Sequence, residues 1–377
     1  MRITQSQLGK QDPLVAEILY RLGRMHFRTR KFTEAKDFLT DALLKFKSFS
    51  DPIGYTDKVA SKNNDYISGN ILRCLHSLGL THTYLREYDL ACNCYIEVLA
   101  NQKKTKDDMI IDNANIHDIL DITINIARTL FDLSLTLKSS GNINDALKTL
   151  REMHDILATF KEDGAVDDYS KKYDLHVAIL SSDAYNMQGA IFKKIDNHED
   201  ALESYRKCLK IKEEHLSNKT ALGDEKVDSA LSYPNTSNSS NAAFNTAEHK
   251  LEIAECMHNI GDMYFLQDNL DEAMSSYENA NTIRKQVLGE EHFSSSSNVK
   301  NLLRTKSNNH HHMDFADTKN NIGIVCLKKG GQEYLDYALE SFLDCLTLRK
   351  EVLGEDSELV ADIYHNVSLL YVCNSNY

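Results

Sequence analysis

The feature of this sequence that most constrains its fold is a small residue followed twelve positions later by alanine. The pair recurs five times, as Gly23 and Ala35, Gly79 and Ala91, Ser134 and Ala146, Gly189 and Ala201, and Gly261 and Ala273. In a sixth pair, Gly323 and Ala338, the residues stand three positions further apart, and we interpret the difference as an enlarged turn within "KKGGQEYLDY". Self-similarity of this kind indicates a repeat protein.

Bulky apolar residues accompany each pair at helical spacing. Four residues after each alanine comes one of Leu39, Tyr95, Leu150, Tyr205, Tyr277 and Phe342. An i, i+4, i+7 stripe of this kind predicts a second helix, and a similar stripe around each small residue predicts a first. Glycine inside a helix costs about 1 kcal/mol relative to alanine, so its recurrence indicates two closely packed antiparallel helices, with glycine on one and alanine on the other. The chain is therefore predicted to be all-α.

These pairs resemble the tetratricopeptide repeat (TPR). The best matches are "LYRLGRMHFRTRKFTEAKDFLTDAL" and "MHNIGDMYFLQDNLDEAMSSYENA". The resemblance covers six units and a seventh first helix, from about residue 14 to residue 373. It implies a right-handed superhelical solenoid of antiparallel helix pairs.

The repeats differ in length along the chain. Residues 14–216 form an N-terminal array of long repeats, whose surplus over the usual 34 residues lies either in longer helices or in extended segments between pairs. Residues 217–250 are rich in Ser and Asn, and we expect a flexible insertion there. Residues 251–377 resemble the kinesin light chain type of repeat, through "IRKQVLGEEH" and "LRKEVLGEDS", and contain a low-complexity insertion at 293–314.

In the resembling families, the first helix of each pair lines a concave groove. With the small residue counted as position eight, the groove positions two, five, six and nine of the later units supply Glu255, His258, Asn259, Asp262, Asn320, Asn321, His365 and Asn366. An asparagine amide both donates and accepts, so an Asn at position six three times over suits an extended peptide. The alternative is that these Asn side chains bridge neighbouring helices within the stack.

The groove positions of the first units carry positive charge. Arg24, Arg73 and Arg128 lie there, whereas the later units carry Asp and Glu. If both ends share one groove, a partner segment would place its acidic end toward Arg24. The alternative is that these charges belong to ordinary solvated helix faces.

Composition argues against several functions. The formal net charge of -13 repels phosphate backbones and anionic lipid, so we expect neither nucleic acid nor membrane as a partner. No apolar run is long enough for a bilayer span and no signal-peptide pattern opens the chain, which predicts a cytoplasmic protein with reduced cysteines. We expect no metal site, since Cys92 and Cys94 diverge on a helix and His310, His311 and His312 belong to a polar tract in a disordered insertion. No catalytic or cofactor-binding motif is present, so we expect no cofactor and no enzyme.

The function indicated is a scaffold or adaptor that binds a peptide or protein partner in the groove, as a kinesin light chain binds cargo. One alternative is a co-chaperone type of adaptor for C-terminal peptides, although this chain lacks the family's clamp residues at the matching positions. An enzyme is the alternative of another class. The chain stops within a first helix that has no cap, and we expect either a longer natural protein or a C-terminal face that is used for self-association.

Overall fold

The computed structural model describes residues 13–50, 58–159, 168–222, 246–288 and 306–374. These ranges are helical and contain no strand. The helices are α1 Pro13–Arg28, α2 Phe32–Ser50, α3 Lys58–Tyr84, α4 Tyr88–Ile111, α5 Ile116–Ser140, α6 Ile143–Ala158, α7 Asp168–Lys194, α8 His198–Leu222, α9 Thr246–Leu266, α10 Leu270–Leu288, α11 Lys306–Lys329, α12 Gln332–Leu353 and α13 Glu358–Asn374. None of these helices has the length and apolar character needed to cross a membrane.

Short turns of defined chemistry join the two helices of each pair. In four of the turns the middle residue adopts a left-handed backbone conformation, namely Arg30, Arg86, Asp196 and Asp268. The backbone N–H of the next residue donates a hydrogen bond to the carbonyl oxygen five residues earlier. In one of these turns, Asn269 N lies 2.9 Å from Tyr264 O. This pattern of a left-handed residue and a 6→1 hydrogen bond ends a helix sharply. It fixes the turn length and hence the constant spacing between the small residue and alanine.

Each glycine of the repeated pair lies beneath a bulky side chain of the second helix. A Cβ atom added to Gly261 would stand 2.7 Å from Cε1 of Tyr277, and one added to Gly79 would stand 2.8 Å from Cε1 of Tyr95. The alanine of each pair is fully buried. The expected close approach of the helices is thus present, but what covers the glycine is the residue four positions after the alanine. An aromatic ring against the backbone leaves no room for a Cβ atom.

The surplus length of the early repeats lies largely in their helices. α3 has 27 residues, α4 has 24 and α5 has 25, whereas a complete 34-residue repeat holds two helices and a turn. Of the two alternatives that the sequence leaves open, longer helices account for the described part of the array.

The expected enlarged turn after Gly323 is wrong. α11 ends at Lys329 and α12 begins at Gln332, so only Gly330 and Gly331 separate them. The added residues instead extend the start of α12, which begins six residues before Ala338, where the other second helices begin three before their alanine. Both glycines have positive φ, 68° and 90°, a conformation that glycine adopts at no steric cost.

Both expected insertions are partly helical. α8 runs to Leu222 and α9 begins at Thr246, so the two ends of segment 217–250 belong to helices, and residues 223–245 lie outside the described residues. α11 begins at Lys306, inside the segment 293–314. The expectation that His310, His311 and His312 sit in a disordered tract is therefore wrong: their polar sequence is compatible with a helix that buries His312 on one side.

The described helices cluster into two compact units. The first unit holds the residues up to Leu180, and the second those from Ser181 onward. The boundary falls within α7 and not in the Ser- and Asn-rich segment. In the first unit, a core around Leu19, Leu39 and Phe46 packs α1, α2 and α3 together. In the second unit, a core around Tyr277, Phe342 and Ile363 packs α10 to α13.

Candidate functional site

The candidate site lies in the second unit, on the face of the first helices α9, α11 and α13 that carries positions two, five, six and nine. We call this surface the groove face. It holds the sequence-predicted residues Glu255, His258, Asn259, Asp262, Asn320, Asn321, His365 and Asn366.

Asp262 is the most highly connected side chain of the groove face. Its carboxylate accepts hydrogen bonds from Lys193 Nζ at 2.5 Å, Tyr277 OH at 2.7 Å and Asn321 Nδ2 at 3.2 Å. The donors come from α7, α10 and α11, so this one carboxylate ties three helices to α9. Burial raises the pKa of the Tyr277 phenol well above its usual value, and the neighbouring Asp262 raises it further. Tyr277 therefore stays protonated and donates.

His258 bridges α9 and α11. Its Nδ1 lies 3.0 Å from Thr318 Oγ1, and its ring meets the Tyr277 ring at a centroid distance of 5.3 Å and an angle of 60°. Burial lowers the pKa of His258, with a further lowering by nearby Arg284. A neutral imidazole with these neighbours is a structural bridge between helices, consistent with its small exposed fraction of 16%.

A rule of contact between consecutive repeats emerges from these pairs. The residue at position five of one first helix touches the residue at position six of the next. Asn366 Nδ2 donates to Asn320 Oδ1 at 2.9 Å, and Asn321 Nδ2 lies 3.5 Å from His258 Nε2. In the first unit, His76 Nε2 stands 3.0 Å from Asp132 Oδ2 at the same positions. Asn321 and Asn366 thus hold the stack together, as the structural alternative requires.

Three predicted residues keep their side chains available on the groove face. Glu255 and His365 are exposed. Asn259 is partly exposed, and its side chain makes no hydrogen bond to another described residue. The three asparagines at position six are therefore not equivalent, because two are engaged in the stack and one is not.

A cavity of about 140 Å³ opens on the groove face beside Asp262. Its apolar lining comes from Phe265, Leu266 and Ile324, and its polar lining from Lys193, Asp262, Tyr277 and Asn321. Leu266 is 48% exposed and adds apolar surface to the lining of the cavity. The positions two to nine that were considered in the sequence do not include Lys193, Phe265 and Leu266. These residues lie four or five positions after the glycine of their repeat, on the next turn of the first helix, where they could have been found.

The predicted basic residues of the first unit lie on its first helices α1, α3 and α5. The guanidinium carbons of Arg73 and Arg24 stand 4.9 Å and 5.8 Å from the centre of the Tyr20 ring, so the structure brings these two cations together. Arg128 lies partly buried on α5.

The histidine tract forms a polar cluster at the start of α11. His310 Nδ1 lies 2.9 Å and His311 Nδ1 lies 3.8 Å from Asp314 Oδ2. One potential ligand atom of each residue falls within 4.8 Å of the others. The imidazoles have a carboxylate partner in this arrangement, and contacts at i, i+3 and i, i+4 spacing within one helix account for the cluster.

The described residues define an all-helical repeat protein. Its helix pairs pack closely at the repeated glycines, and side chains bridge consecutive first helices. Residues 182–215 and 253–294 each match a family model described as tetratricopeptide repeat. These two segments are similar to tetratricopeptide repeats, and the other helix pairs of the described residues follow the same plan. A comparison with curated proteins found no match to this sequence.

Several solved structures align with the chain at low identity. The apo form of RapI has 11% identity and a TM-score of 0.46, with 89% of this chain and 98% of that chain covered. A putative kinesin light chain from Podospora anserina, with nearly identical TPR-like repeats, has 12% identity, a TM-score of 0.43 and coverages of 73% and 97%. A Rap conjugation gene regulator of plasmid pLS20, solved with the Phr* peptide, has 13% identity, a TM-score of 0.38 and coverages of 91% and 77%. The family assignment rests on the repeat matches and the helix pairs.

Proposed function

We propose that this protein is an interaction scaffold or adaptor whose groove face holds an extended segment of a protein partner. The observation that carries the proposal is the cavity beside Asp262, where an exposed leucine stands next to polar groups on the surface that tetratricopeptide repeats turn toward their ligands. Apolar floors with a few placed polar groups are typical of binding sites. The role proposed is binding and not catalysis.

The available side chains elsewhere on the groove face suit a peptide backbone. Asn259 offers both a donor and an acceptor, which pair with a backbone whatever its side chains. Glu255 on α9 and His365 on α13 add exposed polar groups to the same face. A cargo-adaptor role, by analogy with the kinesin light chain type of repeat, and a cytoplasmic location are the finer parts of the proposal.

The first unit adds a second contact to the proposal. Arg24 and Arg73 flank Tyr20, and planar guanidinium groups bind carboxylates in a forked geometry. We propose that they receive an acidic part of the partner. Charge reversal at Arg24 and Arg73 would leave binding of every partner unchanged if this part of the proposal were wrong.

Self-association through α13 is a further part of the proposal. α13 exposes the apolar side chains of Tyr364, Leu369 and Val372, with exposed fractions of 51%, 41% and 61%. Sedimentation at increasing concentration tests it, and Val372→Lys should weaken any dimer. A clean monomer throughout would remove it.

A peptide array tests the proposed function. The wild-type chain, Leu266→Ser and Leu343→Ser are probed in parallel against short overlapping peptides from cytoplasmic proteins, each with a free and an amidated C-terminus. Leu343 is the matched control, because it is 47% exposed but lies on the second helix α12, away from the groove face. We expect Leu266→Ser alone to lose the captured peptides, with both C-termini bound equally. Peptides captured only with a free carboxylate would favour the co-chaperone alternative, and equal capture by all three proteins would refute the groove face as the site.

A further inference from the structure

The polar groups at the rim of the cavity are only partly used by the fold. Lys193 uses one of its three N–H donors in the hydrogen bond to Asp262. Asn321 directs its Nδ2 toward Asp262, which leaves its carbonyl oxygen with one long contact, 3.5 Å from Asn320 Nδ2. Two donors of Lys193 on α7 and one acceptor of Asn321 on α11 therefore remain beside an apolar floor. A peptide unit needs this combination, since it carries a carbonyl, an N–H and a side chain.

The size of the cavity limits what it can take. About 140 Å³ is close to the roughly 150 Å³ of an engineered apolar cavity that accommodates benzene. A leucine, methionine or phenylalanine side chain fits this space, whereas the fused rings of tryptophan exceed it. A charged side chain would lose its hydration against Phe265, Leu266 and Ile324 without gaining a partner, because Lys193 already neutralises Asp262.

We propose that this cavity is an anchor subsite for one leucine, methionine or phenylalanine of the partner peptide, with Lys193 binding the backbone carbonyl of that residue and Asn321 accepting its backbone N–H. The inference rests on the proposed function and names the class of ligand that the groove face selects. The anchor side chain inserts between Leu266 and Ile324. Its neighbours in the peptide then lie over Asn259 and Glu255.

Small capped amino acids test the anchor without knowledge of the partner. The full chain is labelled with ¹³C at Ile and Leu methyl groups and titrated with N-acetyl-leucine N-methylamide at millimolar concentration. We expect the Ile324 and Leu266 methyl resonances to shift with saturation while Leu343 does not. The alanine analogue should bind about 50-fold more weakly, because it lacks three buried carbons. The tryptophan and glutamate analogues should leave Ile324 unshifted.

Two comparisons isolate the polar contacts. Isoamyl alcohol carries the same isobutyl group without the peptide, and it should shift Ile324 at least tenfold less effectively. Lys193→Met should weaken the leucine probe by a similar factor. Lys194→Met, on the exposed neighbouring residue, should not. An unchanged Leu343 resonance and circular dichroism spectrum would show that both variants are folded.

The outcomes separate this inference from the proposed function. Equal shifts with the alanine and leucine probes, or no shift of Ile324 with any probe, would overturn the anchor. If array peptides bind in a Leu266-dependent manner but require no leucine, methionine or phenylalanine, the proposed function stands and the anchor falls. If no peptide binds at all, both fall.

Discussion

Replacing Gly261 by alanine tests the seam between the helices of a repeat. The added Cβ would stand 2.7 Å from Cε1 and 2.8 Å from Cδ1 of Tyr277, distances at which one group must move. Tyr277 cannot swing into solvent, because it is 2% exposed and its hydroxyl donates to Asp262 at 2.7 Å. The substitution therefore strains both the core and the polar cluster of the groove face.

The magnitude follows from three opposing terms. Alanine gains about 1 kcal/mol of helix propensity over glycine. Overpacking of a buried site costs about 1 to 3 kcal/mol, and loss of the Tyr277 hydrogen bond costs about 1 kcal/mol. We expect Gly261→Ala to lower the free energy of unfolding of the second unit by about 1 to 3 kcal/mol.

Gly69 is the matched control for this substitution. It lies within α3, and an added Cβ atom would meet nothing within 4 Å. Gly69→Ala should therefore stabilise its unit by about 0.5 to 1 kcal/mol, the propensity gain alone. The two glycine-to-alanine changes thus have opposite signs.

Hydrogen exchange measured by mass spectrometry resolves the effect within the chain, which matters because two units need not unfold together. Peptides from α9 and α10 of Gly261→Ala should exchange about five- to 150-fold faster than in the wild type, and peptides from α3 of Gly69→Ala more slowly. Slower exchange in α9 and α10 of Gly261→Ala would refute the ring-on-backbone packing.

Three further predictions concern single side chains. Burial raises the pKa of Asp183 to about 6, so the stability linked to this group is greatest below its unfolded pKa near 4 and is lost as the pH rises through 6. In urea titrations at neutral pH, Asp183→Asn should therefore be about 1 to 2 kcal/mol more stable than the wild type. Equal pH profiles of the two proteins would contradict this. Asn321→Ala should cost about 1 kcal/mol of stability because it removes the hydrogen bond to Asp262. Asn259→Ala should cost under about 0.5 kcal/mol of stability and weaken only peptide binding. Equal losses of stability in thermal denaturation would show that the two asparagines are equivalent. The thiols of Cys208 and Cys256 lie 3.1 Å apart in the core, and the contact with Cys208 together with burial raises the pKa of Cys256. Both thiols should resist a thiol reagent until urea is added. Prompt labelling of either thiol in the native protein would contradict this packing.

The architecture was predictable because a repeated local constraint generates it. The spacing of Gly261 and Ala273 reflects a fixed turn and a fixed seam, and both are encoded within about thirty consecutive residues. The partner of the glycine was harder to assign, because the alanine and Tyr277 both lie on the inner side of the second helix. Only the structure shows that the ring and not the alanine covers the glycine.

The site was predictable in its location but not in its roles. Asn259 and Asn321 occupy the same motif position, and their difference arises from the neighbours that other repeats supply. Lys193 reaches Asp262 across a sequence separation of 69 residues, which no local pattern reveals. The helical start of α11 was missed because a run of polar residues resembles a disordered segment when its single buried face, around His312, is not recognised.

The proposed peptide site is the cavity beside Asp262 on the groove face of the second unit. Nuclear Overhauser contacts between an array-selected peptide and the ¹³C-labelled methyl groups of the full chain locate the bound peptide. We expect contacts from one apolar side chain of the peptide to the Ile324 and Leu266 methyl groups. Contacts confined to methyl groups elsewhere, such as those of Leu343 on α12, would refute this site.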